Sequence, residues 1–228
     1  MICKNLEIIM ERIEKAAIKS GRAKDDIVLV AVSKTFPAEK IVEAYNCGQR
    51  VFGENRVQEA LKKIEGLRDK FEDIEFHMIG HLQTNKVRYL KNNFSLIHSV
   101  DRIELAELIN KYAKKNGLTQ DILIQVNIAE EPQKSGVLLK DYDRLVEFVL
   151  NCDNLKLKGL MMIPPLVDDA EVNRPFFAKM NELFLKTNDR YNIQMDYLSM
   201  GMSDDFEIAI EEGANMVRIG SAIFGKRS

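Results

Sequence analysis

Cysteine is scarce: Cys3, Cys47 and Cys152 are the three in 228 residues, and they lie far apart. An odd number at such spacing fits neither a disulfide framework nor a zinc ligand set, so unpaired thiols in a reducing compartment are expected. Long apolar runs are lacking as well. No stretch approaches the roughly 18 residues of a membrane-crossing helix, and the first residues, from Met1 to Glu7, meet charge every few positions. A cytoplasmic chain with no membrane partner is the expectation. There is no excess of one charge either: 33 basic residues stand against 35 acidic ones, for a net charge of −2. That balance removes the electrostatic reason to expect nucleic acid. Histidine is limited to His77, His81 and His98, and no carboxylate or cysteine at close spacing completes a ligand set. Hydrogen-bonded imidazoles, and no metal, are expected there.

What is present suits one folded unit. Apolar residues make up 46% and charged residues 30%, enough for a core and a solvated surface. The length fits one barrel of about 200–250 residues better than two large domains, so residues 1–228 are read as a single domain. Eight short β-branched runs recur along it, at 27–33, 50–53, 75–79, 96–99, 121–127, 157–163, 197–200 and 216–219, with helical spacing between them. Alternating strands and helices imply a parallel sheet. Eight units predict an α/β chain closed as a (β/α)8 barrel, with an open doubly wound sheet as the alternative. An extra amphipathic helix, about Leu6 to Ser20 with Gly21 as its stop, precedes the first strand. Pro37 suits a first helical position, Asp101 with Glu104 has the form of a capping box, and Ser203 reads as an N-cap.

In such a barrel, reactive groups gather at the carboxyl ends of the strands. Alternation along 27–35 puts Lys34 on the face of Val28, Val30 and Val32. If that face is the interior, an amine sits at the rim of an apolar lumen, where desolvation favours the nucleophilic free base. The alternative is a lysine that snorkels into water. After the seventh and eighth strands come Ser199, Met200, Gly201, Met202, Ser203 and Gly220, Ser221, each pairing a glycine with hydroxyl donors near a helix start. Such loops cradle phosphate in barrels of this class. Arg218 is either a donor to a ligand or the partner of a helix carboxylate. A carbonyl-trapping amine, a phosphate cradle and an arginine together describe a pyridoxal phosphate site. A class I aldolase with a Lys34 Schiff base would share the first two.

Ordered motifs then run nearly end to end: VAVSKT at 30–35, GENRVQE at 53–59, HMIGHLQTNK at 77–86, IHSVD at 97–101, QVNI at 125–128, KSGV at 134–137, GLMMIP at 159–164, LSMGMSDD at 198–205 and VRIGSAIFG at 217–225. The chain resembles the pyridoxal phosphate homeostasis (YggS) family, which is similar in turn to the amino-terminal barrel of alanine racemase, a fold type III pyridoxal phosphate protein. The resemblance implies pyridoxal 5'-phosphate as cofactor, held as an aldimine at Lys34. It also implies that Arg218 faces the ring nitrogen, while Ser199, Met200, Gly220 and Ser221 hold the phosphate. Asn55 and His77 are placed within reach of the cofactor. Arg56 departs from the family pattern, which has tyrosine there. No residue is assigned a catalytic role.

A racemase needs two bases on opposite faces of its substrate, and the racemase relatives draw the second from an added domain and a partner subunit. Here the barrel uses the whole chain. The economical expectation is a monomeric carrier in pyridoxal phosphate homeostasis and amino-acid/keto-acid balance, meeting amino acids and pyridoxal phosphate-dependent apoenzymes. The alternative is a small fold type III racemase.

Overall fold

The computed structural model describes residues 1–90 and 93–225. Eight parallel strands close into a barrel in chain order: β1 (Val28–Val32), β2 (Val51–Glu54), β3 (Glu75–Met78), β4 (Leu96–Val100), β5 (Gln120–Gln125), β6 (Leu155–Met161), β7 (Tyr197–Ser199) and β8 (Met216–Ile219). All eight predicted runs are strands. Closure rests on β1 against β8, with Val28 beside Met216 and Ala31 beside Ile219. The open sheet is thereby set aside.

Strand alternation sorts the side chains into two layers. Val30, Val32, Ile79, Leu96, Leu123, Met161 and Met216 fill part of the lumen. Leu29, Ala31, Phe52, Phe76, Ile97, Ile122, Leu160, Leu198 and Val217 point outward beneath the helices. Those helices are α1 (Ile2–Lys19), α2 (Ala38–Asn46), α3 (Val57–Leu67), α4 (Ile103–Lys115), α5 (Leu139–Leu150), α6 (Arg174–Tyr191), α7 (Phe206–Glu211) and α8 (Ser221–Phe224). Between β3 and β4 the connection carries a short 3-10 turn, Thr84–Tyr89, in place of an α-helix. Among the described residues no helix is long and apolar enough to cross a membrane.

The helix α1 starts earlier than the sequence pattern suggested. Ile2 joins Leu6, Ile9, Ile13, Ala16 and Ala17 on one buried stripe at three- and four-residue spacing. Gly21, at φ 73°, follows its end. This helix lies beside the short α8 and α7. The Asn5 amide donates to the Ile223 carbonyl at 2.8 Å, and Arg12 grips Glu207 while lying over the Phe206 ring.

Three expected caps are corrected. Pro37 is the N-cap of α2 rather than its first helical residue. Asp101 forms no capping box: it pairs with Arg102, the actual N-cap of α4, at 2.6 Å. Asp205, not Ser203, stands at the N-cap position of α7, and no side chain caps the helix there; its carboxylate accepts the Met202 N–H at 2.7 Å and the Asn173 amide at 3.1 Å instead.

The expectation of unpaired cysteines is also corrected. Cys3 and Cys47 form a disulfide with Cα atoms 5.3 Å apart, within the ordinary span of such a bridge. They meet because the first turn of α1 packs against the end of α2, where Glu43 also accepts the Ile2 N–H at 3.4 Å. Cys152 stays free and half-buried. A cross-link over this separation of 44 residues is worth about 2–4 kcal/mol. A thiol reductant should lower the melting temperature of the wild type and leave Cys3→Ser/Cys47→Ser unmoved. Equal responses from the two would show that the bridge contributes nothing.

Candidate functional site

At the carboxyl ends of the strands a cavity of about 260 Å³ opens. Its lining includes Val32, Lys34, Phe36, Asn55, Ile79, Ile163, Met202, Ser203, Asp204, Arg218, Gly220 and Ser221. Five expected residues therefore meet there: Lys34, Asn55, Arg218, Gly220 and Ser221. Lys34 is half-buried, two positions beyond Val32 and so in step with the inward-facing Val30 and Val32. Phe36 stacks on Phe224 with ring centroids 5.1 Å apart, tying the turn after β1 to α8.

The anion-binding side is built from two strand-end loops. Gly201, at φ 93°, makes the turn after β7. A Cβ there would lie 2.9 Å from the Phe206 backbone, so only glycine fits. This turn brings Ser203 beside Ser221, their hydroxyls 3.3 Å apart. In α8 the Ile223 and Phe224 N–H groups donate to the Gly220 carbonyl, at 2.9 and 3.0 Å, which leaves the Ser221 and Ala222 N–H groups without partners inside the helix. Asp205 turns away from the cavity into its bonds with Met202 and Asn173. Burial raises its carboxyl above the ordinary range, with those bonds opposing.

His77, Ser199 and Met200 do not line the cavity. Met200 is fully buried in the outer layer, and its N–H donates to the Met216 carbonyl at 3.1 Å, so its amide is already committed to the sheet. Ser199 and His77 belong to a buried polar chain one layer deeper. Arg218, 4% exposed, donates to Ser199 Oγ at 2.6 Å and to the Met162 carbonyl at 2.8 Å. Ser199 Oγ lies 3.2 Å from His98 Nδ1, and His98 Nε2 lies 3.1 Å from His77 Nδ1. His77 Nε2 faces the Glu75 carboxylate at 3.8 Å.

Proton bookkeeping gives this chain one direction. Burial pushes His77 down, and burial together with the neighbouring His77 and Arg218 pushes His98 well below the usual imidazole value, so both are neutral at pH 7. With Glu75 facing Nε2, the His77 proton sits on Nε2 and Nδ1 accepts. His98 then donates from Nε2 and accepts the Ser199 hydroxyl at Nδ1, while Ser199 oxygen accepts from Arg218. Burial pushes Arg218 down to about 10, so it stays charged at neutral pH.

A second cluster lies on the outer side of the same strand ends and was not foreseen. Glu54 is fully buried. It accepts the Ser33 hydroxyl at 2.6 Å and the Lys63 ammonium at 2.8 Å. Lys63 also donates to the Ser33 carbonyl at 2.9 Å and to Glu59 at 3.1 Å. Glu59 accepts the Thr35 N–H at 2.7 Å. Thr35 has φ 68°, a left-handed conformation that costs a β-branched residue roughly 1–3 kcal/mol. Burial raises the Glu54 carboxyl despite Lys63 and Ser33. At Glu59 burial acts in the same direction, but the Thr35 N–H and Lys63 prevail and hold that group below its ordinary value. The four-residue spacing of Glu59 and Lys63 on α3 was the available signal.

The neutral histidines bear on stability. A His whose folded value lies below its unfolded one, about 6.5, takes up protons more readily when unfolded, so stability falls as pH drops through that window. Denaturant titrations from about pH 7 to about pH 5 should show this loss, with a shallower slope for His98→Asn. Parallel slopes would contradict the assignment.

Known proteins resemble this chain in sequence and in fold. The family described as "Alanine racemase, N-terminal domain" matches residues 5–228. A pyridoxal phosphate homeostasis protein of Aquifex aeolicus is 50% identical over 225 residues, covering 99% of this chain and 98% of the relative. The protein of that name from Escherichia coli is 42% identical, covering 99% of this chain and 97% of the relative. The solved structure of PipY from Synechococcus elongatus, with PLP bound, superposes with a TM-score of 0.87 at 34% identity, covering 99% of this chain and all of that one. An alanine racemase of Clostridium difficile, 16% identical with a TM-score of 0.72, shares the fold over 98% of this chain and 57% of its own. From these matches and the barrel that carries them, the chain belongs to the pyridoxal phosphate homeostasis proteins, within the alanine racemase N-terminal domain family.

Proposed function

We propose that this chain binds pyridoxal 5'-phosphate in the mouth cavity, covalently through Lys34, and releases it again rather than turning over a substrate. In that role it takes part in intracellular pyridoxal phosphate homeostasis and in amino-acid and keto-acid balance, with pyridoxal phosphate-dependent apoenzymes as recipients. The observation that carries the reading is that Lys34, Arg218 and the Ser203 and Gly220–Ser221 loops meet in one cavity.

The residues present fit that group. When bound, it supplies an aldehyde that condenses with a primary amine as water leaves. Lys34 offers the amine, half-buried against Val32 and Ile79. The hydroxyls of Ser203 and Ser221 and the first N–H groups of α8 suit a phosphate. Arg218, charged and without acceptor capacity, would face the ring nitrogen and keep it unprotonated, which weakens electron withdrawal by the ring. Among the described lining residues Lys34 and Asp204 are the groups suited to proton exchange, and no tyrosine or histidine stands there. This supports a carrier over a racemase, which needs a base on each face.

Borohydride treatment of protein mixed with pyridoxal phosphate should fix the cofactor on the peptide containing Lys34, and Lys34→Ala should keep only a weaker, phosphate-anchored binding. Label on another lysine would sink the reading. Ser221→Ala removes a hydroxyl bond to a charged oxygen, worth about 1.5–3 kcal/mol, and should weaken binding roughly 10- to 100-fold by equilibrium titration. In deuterated water, alanine should keep its Cα hydrogen; rapid exchange would favour the racemase.

A further inference from the structure

We infer that Glu54, Lys63 and Glu59 form a positioning clamp that aims the Lys34 amine into the mouth cavity, an inference resting on the proposed attachment at Lys34. Ser33 to Phe36 is a tight turn, closed by the Phe36 N–H on the Ser33 carbonyl at 3.1 Å, with Lys34 and Thr35 as its central residues. Thr35 occupies the place that turns with positive φ give to glycine. The left-handed Thr35 is a cost that contacts from outside the turn can offset.

Both neighbours of Lys34 are gripped from outside the barrel. Lys63 reaches the Ser33 carbonyl, Glu54 the Ser33 hydroxyl, and Glu59 the Thr35 N–H. The three side chains come from β2 and α3 and are joined through Lys63, which is 7% exposed. A buried ion pair is seldom a gain in stability over apolar packing. All of these contacts fall on the two residues that determine where Lys34 points. Attachment requires the Lys34 nitrogen to form a C=N bond while its two hydrogens leave with the aldehyde oxygen as water, so orientation of that amine governs the rate.

The experiment compares wild type, Glu59→Ala and Glu59→Gln. Glu59→Ala removes the Thr35 acceptor and leaves the Glu54–Lys63 pair intact; Glu59→Gln restores an oxygen. Three quantities are measured: the rate of covalent attachment of pyridoxal phosphate by absorbance and borohydride trapping, the affinity for pyridoxine 5'-phosphate, and hydrogen exchange at the Thr35 amide. Pyridoxine 5'-phosphate carries an alcohol in place of the aldehyde and so reads the cradle alone. Glu59→Ala should slow attachment about tenfold or more, hold the alcohol's affinity within about threefold, and be largely rescued by Glu59→Gln. Equal losses in rate and affinity, or no loss in rate, would overturn the clamp. The paired variant Glu54→Gln/Lys63→Met, which leaves no lone buried charge, should show the same split. Should the wild type fail to attach the cofactor at Lys34, the proposed function falls. The clamp is then judged on Thr35 exchange: about tenfold acceleration in Glu59→Ala supports it, and an unchanged rate overturns it.

Discussion

A guanidinium sealed inside a closed barrel must be solvated by the protein, and the burial of Arg218 imposes order on everything around it. Its charge takes the Ser199 hydroxyl and the Met162 carbonyl. The serine, having accepted, directs its own proton onward to His98. A second positive charge so close would be severely penalised, so the two imidazoles remain neutral and settle into one tautomeric order. The polar chain displaces hydrocarbon from the lumen. The remaining interior is filled by Val30, Leu96, Leu123, Met161 and Met216. Held in this way, Arg218 reaches the cavity as a fixed donor.

Alternation along β1 provides the other half of the site. The side that carries Val30 and Val32 leads inward to Lys34, whereas the side that carries Leu29 and Ala31 leads outward to Ser33 and the buried Glu54–Lys63 pair. One strand thus presents the Lys34 amine to the mouth and anchors its backbone in the layer below the helices. The two functions do not compete, because they use opposite faces of the same pleat.

The eight strands were legible because β-branched runs ending in turn residues carry a strong local signal, and Lys34, Arg218 and the Gly220–Ser221 loop followed from their places at strand ends. Depth was harder to read. Ser199 stands one layer below the cavity, and Met200 faces outward with its amide used by the sheet, a distinction of one residue in register. Met202, in the turn that follows, is 36% exposed on the cavity wall. The Glu54–Lys63–Glu59 cluster depended on how α3 lies on β2, and the Cys3–Cys47 bridge on how α1 meets α2. Neither is written in local periodicity. The caps differ from the expected motifs because Asp101 pairs with the adjacent Arg102, and because α7 begins two residues after Ser203, at an Asp205 held by Met202 and Asn173.

The first helix of the chain, α1, covers ground that a four-residue α8 is too short to cover, leaning on Ile223, Phe206 and Glu207 near the opposite end of the sequence. The outer coat of the barrel is therefore completed by elements some two hundred positions apart. During synthesis α1 is without its native seat until α7 and α8 have been made. Such non-local closure slows folding and leaves that greasy stripe to chaperones in the interval.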